Sequence, residues 1–195
     1  MSGNLSLGIS GVVLVASVLN VCTTPLRAQS IEEKTQICAG CHGADGKPVD
    51  KTTPVIWGQQ AGYIYVELRD YKRGDRASDI MQPIVSSMER DDMQAIAEYF
   101  SKKPWPDLGE PRASKAIAER ASSANRSVGC TGCHLDHFQG DSTVPRLAGL
   151  STEYLTKTMA DFRTRARGNN PGMSDLMLAT SPDDIAALAQ FLAGL

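Results

Sequence analysis

The chain has 195 residues, 42% hydrophobic and 22% charged, with a formal net charge of −2. That length suits one large or two small domains, and the composition excludes a disordered chain and a polytopic membrane protein. Without a basic excess, nucleic acid is not expected as a partner.

Residues 1–29 stand apart. The run from Leu7 to Val21 is apolar and uncharged, and Pro25 to Gln29 breaks it. An apolar core of this kind followed by Leu26-Arg27-Ala28 predicts a secretory signal peptide cut after Ala28. Two features run against the pattern. No Lys or Arg precedes the apolar run, and Leu26 is large for its place before the cut. An uncleaved membrane anchor is the competing reading, although the run is short for a span. Cys22 belongs to this leader and follows Val21, not the small residue that lipid modification wants.

Ile31 to Ile37 reads as a short helix, with Glu32 and Glu33 in the first turn, where carboxylates suit the helix dipole. It leads into Cys38-Ala39-Gly40-Cys41-His42, and the pattern returns as Cys130-Thr131-Gly132-Cys133-His134. Cys-x-x-Cys-His is the attachment signature of c-type haem. The two thiols add across the porphyrin vinyl groups, the two intervening residues match the sulfur separation to them, and the adjacent histidine ligates iron. Paired cysteines of a zinc site lie roughly 15–20 residues apart, whereas Cys41 and Cys130 are 89 positions apart (130 − 41). A thioredoxin-like dithiol needs a βαβ setting, which the flanking sequence lacks. Two covalently attached haem c groups (iron) are therefore expected. They consume Cys38, Cys41, Cys130 and Cys133 and leave no thiol for a disulfide. Because c-type haem is attached outside the bacterial cytoplasm, an exported chain agrees with this chemistry.

The motif belongs to an internal repeat. The two copies are offset by 92 (130 − 38), Pro54 and Pro145 by 91, Tyr63 and Tyr154 by 91, Met81 and Met173 by 92, and Asp92 and Asp184 by 92. Each copy runs through a lead-in helix, the haem motif and a turn marked in the first copy by Gly43 and Gly46. A loop then reaches Pro54 to Gly58, or Pro145 to Gly149. An amphipathic helix follows over Tyr63 to Tyr71, matched by Tyr154 to Phe162. Gly74 or Gly168 breaks or loosens the loop that follows, and that loop presents Met81 or Met173. The closing helix is Asp91 to Ser101, or Asp183 to Ala193, the second announced by Ser181-Pro182 as cap and first helical residue. No stretch reads as a convincing strand, so the expected fold class is all-α. Pro104, Pro106 and Pro111 separate the copies. The boundaries are 30–103 for the N-terminal unit, 104–112 for a proline-rich linker and 113–195 for the C-terminal unit. Units this small bury few side chains, so each haem must serve as the core and the haem-free chain should be largely unfolded.

His42 and His134 each fill one axial position, and the other decides function. Met81 lies 43 after Cys38 (81 − 38) and Met173 lies 43 after Cys130 (173 − 130), and no other methionine pair keeps this register. Met88, Met93 and Met177 fall opposite Thr180, Ile185 and Val85 and read as packing residues. The iron ligands are therefore expected to be His42 with Met81 and His134 with Met173, a set with raised potential. The carbonyls of Pro54 and Pro145 either orient the imidazoles or belong to simple turns. Gly58 and Gly149 allow close backbone approach, and His137 reads as a solvated loop residue. Trp57, Tyr63, Tyr65, Tyr71, Tyr154 and Phe162 line haem crevices or pack helices. Arg73, Arg76, Arg165 and Arg167 pair with propionates, form a docking patch or make a solvated face.

Cys41-His42-Gly43-Ala44-Asp45-Gly46, Tyr71-Lys72-Arg73-Gly74 and the closing stretch Asp92 to Phe100 resemble the dihaem cytochrome c4 family, from about Ile31 to Leu195. The resemblance implies two tandem class I cytochrome c-like domains related by a pseudo-two-fold axis, with haem edges near their interface. It also implies a periplasmic, often membrane-associated carrier that passes electrons to a terminal oxidase. The expected partners are redox proteins: a terminal oxidase or quinol-oxidising complex, or a dehydrogenase. The alternative is the cytochrome subunit of a periplasmic dehydrogenase, such as a flavocytochrome sulfide dehydrogenase. The second copy departs from the pattern at Leu135-Asp136-His137-Phe138. A dihaem peroxidase-like enzyme or a ligand sensor would need an open axial position, which the register of both methionines argues against.

Overall fold

Capping chemistry starts the first helix. Ser30 accepts from the Glu33 backbone N–H while the Glu33 carboxylate accepts from the Ser30 N–H, a reciprocal box that satisfies two orphan donors. The resulting α1 (Ile31–His42) is longer than expected and carries the whole first haem motif. In this computed structural model the described residues are Met1, Gly3 and 30–195, so the expected leader, with Cys22 and the cut after Ala28, lies outside them.

The rest of the first half is α2 (Ala61–Arg73), α3 (Met81–Val85) and α4 (Arg90–Ser101). The second half is α5 (Lys115–Val128), α6 (Thr131–His134), α7 (Thr152–Thr164), α8 (Pro171–Leu178) and α9 (Pro182–Ala193). Among the described residues the only β feature is an isolated bridge between Asp141 and Val144. No helix among them is long and apolar enough to cross a membrane.

The halves pack alike. The lead-in helix meets the closing helix (α1 on α4, α5 on α9), the amphipathic helix meets the closing helix (α2 on α4, α7 on α9), and the methionine helix rests on the amphipathic one (α3 on α2, α8 on α7). Gly58 N–H donates to Phe100 O at 2.9 Å and Gly149 N–H donates to Leu192 O at 2.9 Å, so each proline loop is fastened to the end of its closing helix.

Two local expectations change, at the second haem motif and at the methionines. Lead-in helix and haem motif are continuous in the first half, but in the second Gly129 takes a left-handed conformation (φ 79°) and puts the motif on its own short α6. Its counterpart is Ile37 (129 − 92), whose side chain disfavours that region. Gly74 ends α2 (φ 81°), its repeat position at the end of α7 is held by Arg165 (φ 61°), and Gly168 lies in the loop that follows. Met81 and Met173 stand on short helices, not in loops. Asn170 Oδ1 caps α8 by accepting from Met173 N–H at 3.1 Å, whereas the N-cap of α3, Ile80, offers no side-chain acceptor and Met81 N–H instead donates to Ser78 Oγ in the preceding turn at 3.1 Å.

One hydrophobic cluster fills each half. The first comprises Ile64, Leu68, Val85, Met93, Ile96, Ala97 and Phe100. The second is larger, running through α5, α7, α8 and α9 around Leu155, Phe162, Met177, Leu188 and Leu192 and taking in Val55 from the first half. Trp57 packs against both. The halves also meet through polar contacts. Gln59, 3% exposed, donates to Arg146 O at 3.0 Å and accepts from Arg146 N–H at 2.8 Å. Tyr63 N–H donates to Ser142 O at 3.2 Å, and Ser151 Oγ donates to Lys51 O at 2.5 Å.

Candidate functional site

Each haem motif presents its histidine in the same way. His42 ends α1 with its Nδ1 2.8 Å from Pro54 O, and His134 ends α6 with its Nδ1 2.9 Å from Pro145 O. A carbonyl can only accept, so Nδ1 carries the hydrogen and the Nε2 lone pair is left for a metal. The two prolines are therefore orienting groups as well as turn residues. Both imidazoles are buried, and burial pushes their pKa values down, with the proline carbonyl bond opposing in part. The neutral ring is the form that binds iron.

The thiols follow the same plan. Cys38 and Cys130 are half-buried while Cys41 and Cys133 are exposed, and none of these four is in a disulfide. Burial raises the thiol pKa of Cys38 and of Cys130. A three-residue spacing puts each pair on one helix face. Among the described residues no group of three or more His, Cys, Asp or Glu forms a metal cage.

Cys38 and Met81 border the first hydrophobic cluster, and Cys130 and Met173 border the second. Each half thus brings its attachment cysteine and its register methionine to one apolar surface. Met93 and Met177 lie inside the clusters, 5% and 2% exposed, and Met88 packs on the edge of the first. These residues fit a haem c: two free thiols, a neutral imidazole with Nε2 free and a thioether across an apolar patch. A haem c held there would supply one-electron exchange between ferric and ferrous iron.

The four arginines separate. Arg73 is exposed, Arg165 pairs with Asp175 on the surface at 3.0 Å, and Arg76 and Arg167 turn into the seam between the halves. Tyr63 and Tyr154 meet there too, while Phe162 packs in the second core. His137 is exposed, as expected of a loop residue. Leu135 takes the place of Gly43 (135 − 92) and keeps its positive φ, 66° against 87°. The departing loop therefore retains its course at a local cost of about 1–3 kcal/mol.

Sequence reasoning missed Glu67, Asn169 and Gln59, which tie the halves together. The available signal was the repeat itself. A 91-residue offset aligns Arg76 with Arg167 (167 − 76) and sets Glu67 against the neutral Thr158 (158 − 67).

Known proteins share this sequence pattern and fold. The family described as Cytochrome c matches residues 34–103. Cytochrome c4 of Azotobacter vinelandii is 28% identical over 98% of this chain and 95% of its own length. The thiosulfate dehydrogenase electron acceptor of Stutzerimonas stutzeri is 32% identical, covering 80% of this chain and 77% of its own. The crystal structure of reduced cytochrome c4 from Pseudomonas stutzeri superposes with a TM-score of 0.75 at 27% identity, over 86% of this chain and all of that one.

Proposed function

Since the chain belongs to the dihaem cytochrome c4 family of electron carriers, with two tandem cytochrome c-like domains and two covalent haem c groups, we propose that both irons are ligated by His and Met and relay single electrons in the periplasm. In this reading Cys38 and Cys41 hold the first haem and Cys130 and Cys133 the second. His42 with Met81, and His134 with Met173, saturate the irons. Residues 30–103 and 113–195 are the two haem-bearing units, 104–112 joins them, and 1–29 is an export leader. Saturated irons leave no position for a substrate, as suits a carrier.

The observation that carries this reading is the repeated placement of each half's cysteine and register methionine on one cluster, beside an imidazole held by a proline carbonyl. The acceptor proposed is a terminal oxidase, reached from solution or from a peripheral position on the membrane. A second reading rests on the relative that bears the name thiosulfate dehydrogenase electron acceptor, and makes a periplasmic dehydrogenase the electron donor.

The test is an optical redox titration of the oxidised holoprotein, following the weak far-red band that reports iron–methionine sulfur bonding. The protein should carry two haems, both contributing to that band. Met81→Ala and Met173→Ala should each remove about half of it and lower one potential. If either variant leaves band and potential intact, that methionine is not a ligand.

A further inference from the structure

The seam between the two units contains a charge arrangement that the duplication alone would not produce. Arg76 and Arg167 occupy equivalent positions and are presented identically. Arg76 N–H donates to Asp70 O at 3.1 Å, and Arg167 N–H donates to Asp161 O at 3.0 Å. The Arg76 guanidinium lies 4.7 Å from the Tyr71 ring centroid and that of Arg167 lies 4.3 Å from the Phe162 ring centroid. Each residue of one set is 91 positions from its partner in the other (167 − 76, 161 − 70, 162 − 71).

Both guanidinium groups converge on one carboxylate. Arg76 Nη1 is 2.5 Å from Glu67 Oε2, and Arg167 Nη2 is 2.6 Å from Glu67 Oε1. Asn169 Nδ2 donates to both Glu67 oxygens, at 3.3 and 3.2 Å. Glu67 and Arg167 are 8% and 7% exposed. The other buried carboxylate close by, Asp70, is taken by Arg69 at 2.7 Å and by Asn169 at 2.9 Å. At Glu67's repeat position stands Thr158, whose hydroxyl accepts from Arg167 Nη1 at 3.0 Å and carries no charge. Remaining Arg167 donors go to Tyr63 Oη at 3.2 Å and Asn169 Oδ1 at 3.2 Å, so its planar group is held in one orientation. A buried guanidinium requires a counter-charge, and here one carboxylate supplies two, one from each half.

We propose that Glu67 is the positioning residue for electron transfer between the two haem units: by bridging Arg76 and Arg167 it fixes how the units sit and sets the electrostatic field of the seam. The proposal rests on the dihaem reading above and concerns the step between the two irons. Geometry and charge make separate contributions. The carboxylate's two oxygens lock two planar forks that a lysine could not engage in the same way. Its charge offsets one of two buried cations, and a more positive seam would favour ferrous iron on both sides, because reduction adds an electron beside it.

The experiment uses the holoprotein with both haems loaded, and three variants read by redox titration, flash-induced inter-haem electron transfer and thermal unfolding. Glu67→Gln removes the charge and should shift both midpoint potentials upward and slow inter-haem transfer. Glu67→Asp keeps the charge and should restore the potentials toward the parent's. Arg167→Lys keeps the charge and loses the fork, and should slow inter-haem transfer with the potentials little moved. If Glu67→Gln does not load haem, Glu67→Asp and Arg167→Lys decide the matter alone. Lower thermal stability with unchanged potentials and unchanged inter-haem rate would make Glu67 a structural residue only and overturn the proposal. A parent protein lacking two methionine-ligated haems would instead overturn the reading on which it rests.

Discussion

A methionine beside a haem is either a ligand or a piece of core, and the residues proposed for the two roles differ in burial. Met177 is 2% exposed within the second cluster, whereas Met173, four residues earlier, only borders it. Truncating a fully buried methionine removes transfer energy and leaves a cavity. Met177→Ala is accordingly expected to cost about 2–5 kcal/mol in denaturant unfolding while the far-red band keeps its intensity. Loss of the band with little loss of stability would exchange the assignments of the two residues. Register alone picked out Met173, because the repeat places a valine opposite Met177. The orienting role of Pro54 and Pro145 was not legible in that way, since a turn proline and a carbonyl acceptor look the same in sequence. Only the 2.8 and 2.9 Å contacts to Nδ1 separate them.

At the scale of elements, the start of α9 was legible through Ser181, because a cap is local chemistry. Ser30, Ser114, Ser151 and Ser181 each accept a hydrogen bond from the first turn of the helix they precede. Less visible was how lead-in and closing helices are joined. Lys34 on α1 bonds the Asp92 carboxylate on α4, and Arg120 on α5 bonds Asp184 on α9 at 2.7 Å. The carboxylate position repeats, but its partner comes from a different place on the lead-in helix. The Lys34 hydrogen bond, helped by the Glu89 N–H, holds Asp92 below the usual carboxylate range, and the Ser181 hydroxyl and Arg120 do the same for Asp184. A lowered folded-state pKa means stability that is present above the unfolded value, about 3.9. That stability is lost as pH falls through the folded value. Asp92→Asn should therefore melt at a lower temperature than the parent at neutral pH. The gap should close as both are titrated below about pH 4. A gap that persists in acid would mean that the ion pair is not its source. The Lys34–Asp92 pair is half-buried and still reached by solvent, so high salt should shrink the gap as well.

For the whole molecule, the two halves share a packing plan and differ in what fills it. The first cluster comes from α2, α3 and α4 alone, while the second draws on α5, α7, α8 and α9 and borrows Val55. The first half therefore leans more heavily on its haem. Replacing Cys38 and Cys41 by alanine should unfold the first half, with loss of far-UV helical signal and rapid proteolysis within α1 to α4. The Cys130→Ala, Cys133→Ala variant should retain more structure. Equal protease resistance in the two variants would show that side-chain core, not haem, carries the first half. The seam couples the halves through Gln59, Glu67 and Ser151, so unfolding of one should also lower the melting temperature of the other.

Sequence by itself determined the haem count, the attachment cysteines, the all-α class and the repeat. These rest on short-range chemistry: a five-residue motif, capping residues, prolines, and a period that brings like residues into register. Tertiary structure decided what local chemistry cannot reach. It placed the methionines on short helices, kept Leu135 in a glycine's conformation and sent two of four similar arginines inward. Their fate depended on one carboxylate 100 residues away from Arg167. Burial is a property of the assembled chain, and a charge acquires its partner only when two distant helices close over it.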